Sequence, residues 1–145
     1  MQPNEFLKRE KAKQYLKQAY RLNELIECNK QELNDLNELK GSLPGIDYSS
    51  DKVQSSSSGE AGFTKIVAKI IELEKAIKDD IETMVSLKLE IRTVINAVQD
   101  NEEKLLLKYR YLNFMSWEDI CEKMNVSMRT AHRIHTAALE NVIPS

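Results

Sequence analysis

Apolar or small side chains recur at Tyr15, Ala19, Leu22, Ile26, Leu33 and Leu36, in gaps of three and four broken only at Asn29. On a helix of 3.6 residues per turn these positions fall on one stripe, so the stretch from about Pro3 to Lys40 is predicted to be a long amphipathic helix. Pro3 suits its first turn, where the missing N–H removes no bond, and Gly41 suits its stop. A second and stronger stripe runs from Phe63 to about Gln99 through Ile66, Ile70, Leu73, Ile77, Met84, Leu87, Ile91, Val94 and Val98, with Asp80 its charged break. Between the two lies GSLPGIDYSSDKVQSSSSGEAG, residues 41–62, which has no helical period and reads as a flexible connector.

Each predicted helix would be about 37 residues and roughly 55 Å long at 1.5 Å per residue, a match that suits an antiparallel hairpin, or coiled coil, closed by the connector. Asn29 then reads as a polar seam residue that sets register. Phe63, Val67, Ile71, Ile81, Val85 and Ile95 widen the second stripe beyond what one partner helix covers. Self-association through helices 3–40 and 63–99 is the simplest way to cover that excess, and packing against the C-terminal part is its rival.

From Asn101 the apolar spacing shortens into three compact helices. The first, NEEKLLLKYRYLN, places Leu105, Leu106, Tyr109 and Leu112 on one broad face. Ser116 is an N-cap for the second, with Asp119 three residues on and Trp117, Ile120, Cys121 and Met124 turned inward. A turn is expected at Asn125, Val126 and Ser127, because Asn tolerates the left-handed conformation and Ser caps the next helix. That third helix runs from Met128 to about Val142, with Ala131, Ile134, Ala138 and Leu139 inward. The expected fold is therefore all-α: a helical hairpin over residues 1–100 followed by a C-terminal three-helix helix-turn-helix module over 101–145.

Charge changes the picture locally. The 145-residue chain carries a formal charge of -2 with 30% charged residues, so nothing global points to nucleic acid. Yet no acidic residue occurs between Glu122 and Glu140, and Arg129, Thr130, His132, Arg133 and Thr136 fall on or beside the outward face of the third helix. Arginine reaches guanine acceptors or phosphates in a major groove, and small hydroxyl residues permit close approach. Ser127 and the free amides at the helix start suit a phosphate. Spacing alone also fits a packing element whose surface Arg and His are simply solvated. The first half of the N-terminal helix is basic as well, with Lys8, Arg9, Lys11, Lys13, Lys17 and Arg21.

Other chemistries find little support. Cys28 and Cys121 belong to no CxxC or Cys/His cluster and read as reduced core thiols. His132 and His135 supply two metal ligands at most, with no Cys or carboxylate at helical spacing beside them. There is no Gly-rich phosphate loop and no nucleophile with a plausible base, so neither an enzyme nor a cofactor or small-molecule substrate is expected. No run approaches the roughly 20 apolar residues that cross a bilayer, which leads to the expectation of a cytoplasmic protein without a membrane partner.

The run SWEDICEKMNVSMRTAHRIHTAAL resembles, without a gap, the region 4 helix-turn-helix of the sigma-70 family. LLLKYRYLNFMSWEDI with HRIH is similar to small phage and prophage proteins related to the ArpU and RinA type of late-gene transcriptional regulators. The resemblance implies recognition positions at Met128, Arg129, Thr130, His132 and Arg133, with Ser127 near a phosphate, and duplex DNA as partner. Met128 stands where region 4 has a polar or basic residue, and Asn125 replaces the common turn Gly, so the sigma promoter preference does not carry over. Two alternatives stay open: a DNA-packaging protein of the small terminase type, and an interaction module that touches RNA polymerase or a host factor.

Overall fold

The computed structural model describes residues 3–43 and 56–144. Among them the chain is all-α, in the order α1 Pro3–Leu16, α2 Gln18–Ser42, α3 Ser56–Asn96, α4 Asn101–Tyr111, α5 Trp117–Met124 and α6 Met128–Glu140. None of these helices is long and apolar enough to cross a membrane.

The helix expected over 3–40 is interrupted at Lys17. Bonds from Lys17 N to Lys13 O at 3.0 Å and from Arg21 N to Lys17 O at 3.1 Å persist on either side. The interruption coincides with the Gln18 side-chain amide, whose Nε2 donates to the Tyr15 carbonyl at 2.9 Å, the kind of insertion that disturbs a helical ladder. Gly41 does not end the helix, which continues to Ser42, and α3 begins at Ser56 rather than Phe63. The expected connector 41–62 is thus helical at both ends, while its middle, 44–55, lies outside the described residues. Extending a formed helix adds a hydrogen bond per residue, which outweighs the poor propensity of Ser and Gly at a helix end. At its other end α3 stops at Asn96, where Ala97 and Val98 bond the carbonyls of Val94 and Ile95 three residues back.

The chain divides into two compact units. One unit comprises Glu24–Glu82. In it Ile26, Ile70 and Ile77 are buried, Asn29, Leu33, Leu36, Leu73 and Asp80 are half-buried, and most positions between them are exposed. The seam positions read from the sequence are therefore the ones withdrawn from solvent. Cys28, expected in the core, is exposed, because it lies roughly 200° round the helix from Ile26.

The other unit takes the chain up to Asn23 together with everything from Thr83. Here α6 packs against α1, α4 and α5. Leu106, Ile120, Ala131 and Ile134 form one buried cluster, with Tyr109, Met115, Trp117, Cys121, Met124 and Val126 packed around it. Ala12, Leu16 and Ala19 are wholly buried, as are Leu107, Ala138 and Val142. Arg9 Nη1 pairs with Glu140 Oε1 at 3.2 Å, and the Tyr15 hydroxyl donates to Glu90 Oε1 at 3.0 Å. Two expectations need correcting. Ile95, placed on the uncovered stripe of α3, is buried, whereas Ile71, Ile81 and Val85 are exposed as expected. On α4 Leu105 is exposed, and Leu107 and Tyr111 are buried beside Leu106, because α4 is covered on more than the one face assigned to it.

Candidate nucleic-acid interface

The turn that aims α6 is built from three residues with separate tasks. Asn125 closes α5 in the left-handed region at φ 56°, ψ 49°, a conformation a short amide side chain tolerates better than a branched one. The Val126 N–H bonds Cys121 O at 3.0 Å, and the side chain packs on the buried cluster. Ser127 caps α6 through Oγ, which accepts from Thr130 N at 3.1 Å and donates to Thr130 Oγ1 at 3.0 Å. Ser116 repeats the device at α5, accepting from Asp119 N at 3.1 Å.

With both ends of the turn fixed, the inward face of α6 is Ala131, Ile134, His135, Ala138 and Leu139. Arg129, His132, Arg133 and Thr136 are exposed, and Thr130 is half-buried. Four of the sequence candidates therefore share one solvent-facing side. Three candidates also have local duties: Thr130 receives the Ser127 hydroxyl, Thr136 Oγ1 bonds His132 O at 3.0 Å, and Met128 Sδ lies 4.0 Å from Cys121 Sγ. Since the Ser127 hydroxyl is engaged in the cap, the amides of Met128 and Arg129, which have no acceptor within the helix, are the groups left at this end that could bind an anion. Ser127→Ala is expected to cost about 1 kcal/mol of stability, seen as a lower thermal midpoint, and Ser127→Asp should restore it.

An aromatic and cationic row, not read from the sequence, runs beside this face. The Arg110 guanidinium lies 4.9 Å from the Trp117 ring and donates through Nη1 to Met115 O at 2.8 Å. The same indole is 4.4 Å from the His132 ring and 4.8 Å from that of His135. His135 is not a surface histidine: it is buried, with Nε2 2.7 Å from the Tyr111 hydroxyl, the two sharing one hydrogen in either tautomer. Burial lowers the His135 pKa to about 4, helped by the positive charges of Lys13, His132, Arg110 and Lys17, while burial raises that of Tyr111. Among the described residues no group of three or more His, Cys, Asp or Glu could hold a metal.

Two helices joined by a doubly capped three-residue turn, braced by a third, make the C-terminal part a helix-turn-helix module in an all-α chain. The chain belongs to the family described as a protein of unknown function, DUF1492, whose model matches residues 43–142 and so takes in α3 through α6. No curated protein and no solved structure matches it.

Proposed function

We propose that this protein is a sequence-specific duplex-DNA-binding regulator of transcription, of phage type, that reads the major groove with α6. The observation that carries the reading is the exposed side of α6. There Arg129, His132 and Arg133 are exposed on a helix capped at its start, and none of them is in an ion pair among the described residues. An exposed basic helix after a tight turn is the geometry with which such modules enter a groove. The resemblance of SWEDICEKMNVSMRTAHRIHTAAL to sigma region 4 supports the same reading and makes RNA polymerase a further candidate partner.

Self-association belongs to this reading: Ile71 and Ile81 leave large apolar side chains exposed on α3. A dimer would set two copies of α6 on half-sites about 34 Å apart. The site of action would be the cytoplasm, where the DNA is.

The test is titration of labelled duplex, random and phage-derived, by purified protein across a salt series, with Arg129→Ala/Arg133→Ala beside the wild type. Binding that weakens with salt and is lost in the variant is expected. Absence of binding by both proteins, or equal binding by both, would remove α6 from DNA and leave contact with a protein as its role.

A further inference from the structure

Lys13 on α1, Lys17 between α1 and α2, and Arg110 on α4 lie close enough to act on His135 of α6, and Arg21 at the start of α2 acts in turn on Lys17. Lys13, Lys17 and Arg21 recur every four residues, a spacing that sets like charges side by side on a helix. Among the described residues none of the four makes an ion pair with a carboxylate, and Glu140 on the adjoining helix is taken by Arg9. The charges acting on Lys17 are Lys13, Arg110 and Arg21 against Glu10 alone, so burial first and these neighbours next lower its pKa. Lys13, Lys17 and Arg110 also act together on His135.

The cluster is continuous with the exposed face of α6. Arg110 is held in place by its bond to Met115 O, and it shares the Trp117 ring with His132, the neighbour of Arg133. The packing of α1 on α6, with the Arg9 to Glu140 pair, fixes Lys13 in the same unit. Such a collection repels itself until a polyanion lies across it, and the polyanion that fits beside a groove-reading helix is the flanking phosphodiester backbone.

We propose that Lys13, Lys17, Arg21 and Arg110 hold the phosphate backbone of the same duplex whose bases α6 reads, which makes the N-terminal helix a second DNA-contacting element. This rests on the reading of α6 as the DNA-facing helix. Contacts of this kind position the protein without selecting sequence.

The experiment is the salt dependence of duplex binding between 50 and 200 mM for the full chain, its Lys13→Gln/Lys17→Gln variant and its Lys13→Arg/Lys17→Arg variant, the salt range being about fourfold. Loss of two phosphate contacts lowers the slope of log affinity on log salt by about 1.8, so the wild type weakens about 12-fold more than the Gln variant over that range. The order of preference among duplex sequences should stay the same, the Arg variant should keep the wild-type slope, and the free Gln variant should melt no lower than the wild type. Equal slopes for wild type and Gln variant would overturn the proposal and leave the role of α6 standing, whereas a wild type that binds no duplex would overturn both. If inorganic phosphate raises the melting temperature of the wild type but not of the Gln variant while the slopes coincide, the cluster holds a small anion and the proposal fails.

Discussion

Replacing Arg129 and Arg133 together by alanine is expected to weaken specific duplex binding by about 100-fold at moderate salt, with little change in the melting of the free protein. Both side chains are exposed on α6 and lie one turn apart, so truncation opens no cavity and leaves no buried partner unsatisfied. A well-formed Arg contact to a base edge contributes about 1 to 3 kcal/mol, and two contacts at the middle of that range lose more than the roughly 3 kcal/mol that corresponds to 100-fold. The single variants separate two ways of losing affinity. An arginine on a guanine relaxes the preference at one base pair, while an arginine on a phosphate weakens all sequences alike and lowers the salt slope by about 1. Fluorescence anisotropy on a panel of duplexes measures both. A double variant that binds within threefold of the wild type would place the readout elsewhere.

Acid should loosen the unit that carries α6. His135 titrates at about 4 when folded against 6.5 for an unhindered imidazole, so the unfolded chain takes up a proton at a higher pH than the folded one does. The stabilisation from burying neutral His135 is fully present above about pH 6.5, falls as pH drops through the interval, and is gone below about 4. Over that interval the loss is about 3 kcal/mol. The cause is structural: a protonated ring would sit in a buried position under the positive charges of Lys13, His132, Arg110 and Lys17, with the Tyr111 oxygen as its hydrogen-bond partner. Urea unfolding at pH 7 and pH 4 measures the loss in the wild type. In Tyr111→Phe/His135→Leu both polar partners are gone together, so no orphaned group remains and the pH dependence should be shallower by about that amount. The same pH dependence in both proteins would refute the assignment.

The parts of this fold written in local pattern were legible. Asn125 at a left-handed position and Ser127 capping α6 follow from residue type and spacing alone, as does the burial of Ile26, Ile70 and Ile77. Arg129, His132 and Arg133 come out exposed for the same reason, since Ala131, Ile134 and Ala138 fix the opposite side. What escaped is long-range. Nothing near α1 says that Ala12 and Leu16 would be buried while α1 lies along α6, 131 positions away in the case of Arg9 and Glu140. One local signal does point to it. Leu105, Leu106 and Leu107 in succession, followed by Tyr109 and Tyr111, make α4 apolar on more than one side, and such a helix needs more than one neighbour. His135 escaped because a histidine three residues from another invites thought of metal, when its actual partner is a tyrosine 24 residues earlier.

The docking of α1 on α6 orders events in time. The unit that holds α6 is drawn from both ends of the described chain, with Glu24–Glu82 inserted between its two parts. The inserted unit is one continuous stretch and can close as soon as it leaves the ribosome. The other unit must wait, because the surface that shelters Ala12 and Leu16 is completed only when residues more than 100 positions later have been made. Until then Ala12 and Leu16 stay exposed on a basic segment. Its joining sets a slow, high-separation step for a protein whose helices otherwise form locally and fast.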